Sequence, residues 1–394
     1  MLPAPVLQRF GQSARLAQVQ PPVIPIIHAL IREHPDTITL GQGVVYYGPP
    51  PQTEAALRGF WDAPANHRYG AVWGIPPLRE ALAAKLEAEN GIRIGDDRQL
   101  VVTAGGNMAF VNALLAIADA GDEIILVSPY YFNHEMAVAM ANCTPVAVRS
   151  DNAYQLDVRA IAEAITDRTR AVVTISPNNP TGAVYPRDDL RAVNGLCAGR
   201  GIYHVHDEAY EYFTYGGHAH FSPGSLPGAE QHTISLFSLS KSYGFASWRI
   251  GYMTIPPALY DAVAKIQDTV LICPPLVSQA AALGALQAGR GYCMERREQI
   301  EQVRATALRT LAELGDRCEP VRADGAFYVL LRLRHPGDPM ALVRRLVTEH
   351  RVAVLPGTAF GLAGCSLRIG YGALTPQDAG EGMERLVTGI LALT

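Results

Sequence analysis

Lysine occurs at only three of the 394 positions, Lys85, Lys241 and Lys265, and arginine supplies the rest of the 33 basic residues. Chemistry that needs a primary amine therefore has few places to occur. Lys85 and Lys265 fall in helical patterns near Glu87 and Asp268 and read as solvated faces. Lys241 lies in SLFSLSKSYGFASWRIGY, after an apolar strand-like run and among small hydroxyl residues. Strand ends are where α/β folds place their sites. An amine held among apolar groups near an arginine loses its proton more readily than a free lysine, and can then attack a carbonyl to form a Schiff base. Taken alone, the segment fits a surface lysine equally well, so the neighbours must decide.

Ser238, Ser240 and Arg249 flank this lysine in sequence. Two hydroxyls and a guanidinium fork are the donors a phosphate ester needs. Upstream, Thr103-Ala-Gly-Gly-Asn107 turns from a strand into a helix. Gly105 and Gly106 permit a tight turn with close backbone approach, and the helix start offers free N–H groups to an anion. A phosphate beside a Schiff-base lysine implies pyridoxal 5'-phosphate, whose ring needs an acid at its pyridine nitrogen and a flat face to stack on. Asp207, closing the strand in HVHDEAYEYF, supplies the acid, and Tyr131 in SPYYFNHEM supplies the face. Tyr210 and Asn179, the latter in SPNNPTG, are placed to bond the ring's phenolic oxygen. His204 and His206 alternate on one strand face next to Asp207; a central strand makes packing or hydrogen bonding the better reading of them, and no metal is expected.

These residues need a scaffold, and the pattern around them alternates strand and helix, which predicts an α/β fold with a mainly parallel sheet. Seven strand-like runs follow one another: LVVTAGG, EIILVSP, TPVAVRS, RAVVTISP, IYHVHDE, TISLFSLS and RIGYMTI. A long polar helix from Tyr292 to about Leu314 then leads to a second, smaller α+β part containing AFYVLLRL, VAVLP and SLRIGY. The expected division is a large domain at 44–291 and a small one made of 1–43 and 292–394. The opening segment is too short to fold alone and should pack against the C-terminal part.

Composition excludes other classes. Charge is 33 basic against 37 acidic residues, a net −4, unlike a nucleic-acid-binding domain. No apolar run reaches the ~18 residues of a membrane helix, and the N-terminus lacks a secretory layout, so a cytoplasmic protein is expected. The six cysteines are dispersed, with no Cys-x-x-Cys pair, which gives neither a zinc site nor a disulfide framework.

In order along the chain, LGQGV, YGAVWGIPPLREALA, TAGGNMAF, SPYYFN, SPNNPTG, HDEAYEYF, SLSKSYGFASWRIGY, VLPGTAFG and LRIGY resemble the motifs of pyridoxal-phosphate-dependent aminotransferases of fold type I, class I/II. LGQGVVYYGPP, YYFNHEMA and KIQDTVLICPP are most similar to members acting on methionine and aromatic amino acids. The resemblance implies that Lys241 carries the cofactor and shuttles the proton, with Asp207 on the ring nitrogen and Asn179 and Tyr210 on the ring oxygen. Gly105, Gly106, Asn107, Ser238, Ser240 and Arg249 would hold the phosphate, and Tyr131 would stack on the ring. Arg368 and Asn179 would take the substrate's α-carboxylate, with Gly41 closing over it. Tyr69 would reach the phosphate of a partner subunit, implying a homodimer with shared active sites.

Tyr46, Tyr47, Phe132 and Phe360 are candidates for an apolar or aromatic substrate pocket. Relatives selective for dicarboxylates bring in a partner arginine just before the Pro274-Pro275 turn, where this chain offers Asp268. Aspartate is therefore not expected as the best donor. The expected activity is transfer of the amino group of a hydrophobic, aromatic or methionine-like L-amino acid to a 2-oxo acid by a ping-pong mechanism. The alternative is a lyase or cyclase using the same cofactor, because the same residues stabilise its carbanion.

Overall fold

A computed structural model describes residues 11–319 and 321–394. A short strand, β1 (Ile38–Thr39), precedes seven strands of one sheet: β2 (Gln99–Thr103), β3 (Glu123–Ser128), β4 (Thr144–Arg149), β5 (Thr169–Ile175), β6 (Tyr203–Asp207), β7 (Thr233–Ser238) and β8 (Gly251–Ile255). The spatial order is β2-β8-β7-β6-β5-β3-β4. These are the seven runs expected from the sequence. All residues of β3, β7 and β8 are buried, as befits strands covered on both faces. Strand β8 runs antiparallel to β2 and β7, and the other pairs are parallel. Strands β2, β3, β5, β6 and β7 therefore all end at one edge of the sheet, and β8 begins there.

One sheet face packs on helices Gly106–Ile117, Phe132–Met140 and Tyr260–Val270, through a cluster that includes Phe110, Leu114, Val138 and Val263. The other face is covered around Leu78, Leu82, Phe237 and Tyr252, and around Ile161, Val172 and Val193. Beyond the helix Gly289–Leu311 come β9 (Tyr328–Arg332), β10 (Val352–Ala353), β11 (Leu355–Pro356) and β12 (Ser366–Gly370). Strands β11, β12 and β9 form an antiparallel three-stranded sheet, and β1 pairs in parallel with β10. Val23, Ile27 and Leu40 share a core with Val343, Leu346 and Leu386. No described helix is long and apolar enough to cross a membrane.

Two sequence readings meet the structure here. Lys85 is not on a solvated face: its side chain is only 7% exposed, with Nζ 2.5 Å from Glu211 and 2.8 Å from Asn90 Oδ1. The reason is helical phase. Lys85 stands three residues after Leu82 and seven after Leu78, on the stripe that faces the core. Lys265 does lie at the surface. His204 and His206 are fully buried and both bond the Thr174 hydroxyl, at 2.8 and 2.6 Å.

Candidate active site

At the sheet edge where these strands end lies a cavity of about 240 Å³. The residue types gathered there follow from topology. Gly106 and Asn107 come after β2, Tyr131 after β3, Asn179 after β5, Asp207 from the end of β6, and Ser238 and Lys241 from the end of β7. Arg249 enters from the turn before β8, and Ser240 also lines the cavity. Gly251, the first residue of β8, must be glycine, since a Cβ would lie 2.7–2.8 Å from Gly105 C, Gly106 N and Phe237 O.

Lys241 sits in a one-turn helix capped by Ser238, whose Oγ accepts the Ser240 N–H at 3.1 Å. Its Nζ donates to the Gly43 carbonyl. Burial first, then the nearby Arg249 and Arg368 charges, lower its pKa from 10.5 to about 8, although Asp207 acts in the opposite direction. Asp207 accepts the Ala209 N–H at 3.0 Å on Oδ1, and its Oδ2 lies 3.3 Å from Nε2 of His134. Tyr131 accepts a bond from Asn133 Nδ2 at 2.7 Å and donates to Asn107 Oδ1 at 3.4 Å. The hydroxyl of Tyr210 lies 2.7 Å from that of Tyr328 and 3.5 Å from Asn179 Nδ2. Burial raises the pKa of Tyr210 and of Tyr131, so both stay protonated phenols.

A second cavity, of about 390 Å³, opens beside the first and shares Lys241, Tyr131, Asn179 and Tyr210 with it. Arg368, from the middle of β12, forms part of its floor and is 2% exposed. One terminal nitrogen donates to Asn179 Oδ1 at 2.9 Å and the other to the Gly41 carbonyl at 2.6 Å. The guanidinium lies over the rings of Tyr328 and Phe360, at 4.5 and 5.1 Å. This is a cation fixed in direction by its aromatic neighbours, a setting in which arginine binds a carboxylate better than lysine.

Residues 35–386 match the family model for aminotransferase class I and II. The chain belongs to this family. The aminotransferase is 34% identical to the aromatic aminotransferase ISS1 of Arabidopsis thaliana, over 97% of each chain. It is 35% identical to the aspartate/prephenate aminotransferase of Thermus thermophilus, over 95% of this chain and 97% of that one. Among solved structures, a single mutant of the Thermus thermophilus aspartate aminotransferase superposes with a TM-score of 0.89 at 34% identity, covering 96% of this chain and all of the other. The aminotransferase is thus a pyridoxal-phosphate-dependent enzyme of α/β, fold-type I architecture.

The residues present fit that cofactor. Gly105 has φ +82°, and a Cβ there would lie 2.4 Å from the Arg249 guanidinium, so bare backbone and a cation face each other at the start of the helix Gly106–Ile117. Arg249 is itself held at φ +54° and braced by its bond to the Ala246 carbonyl at 3.0 Å. This cradle could hold a phosphate, with Asp207 and Lys241 further along the same cavity.

Some expected residues stand elsewhere. Tyr46, expected in the substrate pocket, lines neither cavity; its hydroxyl donates to Gln299 at 3.1 Å. Tyr47, also expected in the pocket, stays outside both cavities, its hydroxyl donating to the Lys241 carbonyl at 3.0 Å. Phe132 does line the second cavity, whereas Phe360 is fully buried beneath Arg368. Gly41 is buried and presents its carbonyl to Arg368, while Gln42, Gly43 and Val44 form the cavity wall. Tyr69 is 80% exposed and away from the site of its own chain.

Sequence reasoning missed two residues. His134, 2% exposed, stacks on Phe110 at 4.0 Å and orients Asp207. Tyr328 bonds Tyr210 from β9. The signal for His134 was its spacing, three residues after Tyr131 on the same helical turn. Tyr328 comes from the far part of the chain and gave none.

Proposed function

We propose that the enzyme transfers the α-amino group of an apolar, aromatic or methionine-like L-amino acid to a 2-oxo acid, the first product leaving before the acceptor enters. The observation that carries this reading is that Lys241 lines both cavities. On one side of it lie the phosphate-type donors and Asp207, and on the other the carboxylate-type Arg368. Among the described residues no aspartate or glutamate lines the second cavity, whose walls include Val23, Ile24 and Phe132.

In this reading Gly105, Gly106, Asn107, Ser238, Ser240 and Arg249 hold the phosphate of pyridoxal 5'-phosphate. Asp207 would keep the pyridine nitrogen protonated, Tyr210 and Asn179 would bond the phenolic oxygen, Tyr131 would cover the ring, and Lys241 would bind the cofactor through its amine. When bound, the cofactor supplies an electron sink that makes the substrate's α-proton removable. Arg368 exchanges its bond to the Gly41 carbonyl for the substrate carboxylate and so fixes Cα beside Lys241. Once the substrate's amine has displaced it from the cofactor, the Lys241 Nζ, whose pKa is lowered, is an effective general base near neutral pH; it would take the proton from Cα and is placed to return it. The partnership with a second copy rests on the family resemblance, in which Tyr69 crosses to the neighbouring phosphate.

The test is an absorbance spectrum of the loaded enzyme with single amino acids and no oxo acid. The expected result is conversion of the lysine-bound cofactor band to the amine form, with release of one equivalent of 2-oxo acid, for phenylalanine, tyrosine or methionine. Continuous release of ammonia with the band unchanged would overturn transamination in favour of the lyase reading.

A further inference from the structure

The second cavity, of about 390 Å³, is larger than an α-carboxylate and Cα require, and its remaining polar groups are unevenly distributed. Arg368 and Asn179 bond each other, and Asn133 bonds Tyr131. The Tyr210 and Tyr328 hydroxyls bond each other and Lys241 is held by the Gly43 carbonyl. The other two polar lining residues are His28 and Gln42, whose side chains meet with nitrogens 3.0 Å apart. His28 comes from the helix Val23–Glu33, whose Val23 and Ile24 form the apolar wall of the cavity. Gln42 lies between Gly41 and Gly43, whose carbonyls contact Arg368 and Lys241. One three-residue loop thus ties the carboxylate anchor, the amine and His28 together. A substrate held at Arg368 with Cα at Lys241 must extend its side chain into the rest of this cavity, past Ile24 and Phe132 and towards the His28–Gln42 pair.

The chemistry of the pair defines what it can recognise. The contact reads as a Gln42 amide N–H donating to Nε2 of a neutral His28, which leaves the Gln42 carbonyl as an acceptor and the His28 Nδ1–H as a donor. Neither group carries a fixed charge. Building on the aminotransferase reading above, we infer that His28 and Gln42 select substrates whose apolar or aromatic side chain ends in one uncharged hydrogen-bonding group, a hydroxyl or an amide. A purely apolar tip would displace water from the free Gln42 carbonyl and His28 N–H without replacing its hydrogen bonds, and that penalty is the source of discrimination.

The test compares kcat/KM within matched pairs, tyrosine against phenylalanine and glutamine against methionine, each with one common oxo acid. Wild type, Gln42→Leu and His28→Leu are compared. Loss of folded enzyme cannot move a ratio measured on one preparation, and His28→Gln restores a neutral donor and acceptor. The expected result is a preference of about tenfold or more for the hydrogen-bonding member of at least one pair in wild type. That preference should fall to within about twofold in both leucine variants and recover in part in His28→Gln. A wild type that fails to distinguish either pair, or a preference that survives both leucine substitutions, overturns the inference while leaving the aminotransferase reading intact. If wild type transaminates none of the four amino acids, the parent reading of donor class falls, and this inference with it.

Discussion

The ionisation of Lys241 near pH 8 is the residue-scale feature with the most direct consequence. At pH 7.5 roughly a quarter of such lysines carry a free amine, against about a thousandth for a lysine that ionises at its usual value. Capture of pyridoxal phosphate by the apo-enzyme should therefore speed up with rising pH, with a half-point near 8, and level off above it. A stopped-flow series that keeps climbing to pH 10 would refute the assignment. The stability of the apo-protein carries the same sign. The unfolded lysine holds its proton up to about 10.5 and the folded one only to about 8, so stability rises as pH climbs through that window, and the full cost of burying the ammonium is felt below it. Lys241→Ala should abolish turnover, keep the fold and lose this pH-dependent gain in melting temperature. Arg368 gives a second prediction. Replacing its fork with lysine keeps the charge but gives up two-point contact with a carboxylate and the stacking on Tyr328 and Phe360. Arg368→Lys should lower kcat/KM for the amino acid by roughly a hundredfold while changing cofactor affinity only slightly, as steady-state kinetics and cofactor titration would show. Equal losses in both would remove Arg368 from the carboxylate role.

At the scale of elements, the site depends on two close backbone approaches. The turn from β2 into the helix Gly106–Ile117 works only with Gly105 at positive φ and no side chain against Arg249. Gly105→Ala should leave circular dichroism unchanged and weaken cofactor binding at least tenfold, because strain at that residue and displacement of the guanidinium act on the same cradle. Unchanged affinity would place the phosphate elsewhere. This turn was legible in the sequence because Gly-Gly between an apolar run and a helical run has a local cause. The seven strands were legible as apolar runs, four of them closed by Gly or Pro. The antiparallel course of β8 between β2 and β7 was not, since β2 and β8 pair through residues more than a hundred positions apart and nothing local fixes the direction in which β8 returns beside β7. Lys85 shows a different failure. Its charge suggested solvent, whereas its phase with Leu78 and Leu82 pointed inward, towards Glu211. Tyr46 shows a third: its aromatic type suggested a pocket, while its backbone N–H is tied to the Gly372 carbonyl and its hydroxyl to Gln299.

At the scale of the whole molecule, a surface remains that the single chain does not cover. Trp61 is 62% exposed, Tyr69 80% and Val270 53%, and the Gly70 N–H donates to the Cys273 sulfur at 3.3 Å, which sets Tyr69 beside the Leu271–Pro275 turn. Large exposed apolar groups of this kind suit contact with another chain. If that chain is a second copy and one Tyr69 reaches the opposite site, twofold symmetry makes the other do the same. The arrangement can be tested without a structure of the dimer. A hybrid can be purified by two different tags from one subunit carrying Lys241→Ala and another carrying Tyr69→Ala. If Tyr69 crosses the interface, one site of the hybrid collects both lesions and the other collects neither. The hybrid should then run at about half the wild-type rate per dimer, with wild-type cofactor affinity at the working site. If each Tyr69 serves its own chain, both sites are damaged, one without its lysine and one without its tyrosine. The hybrid would then gain nothing beyond the weak activity of the Tyr69→Ala parent. A single rate measurement on one species thus decides whether the active site belongs to the chain or to the pair.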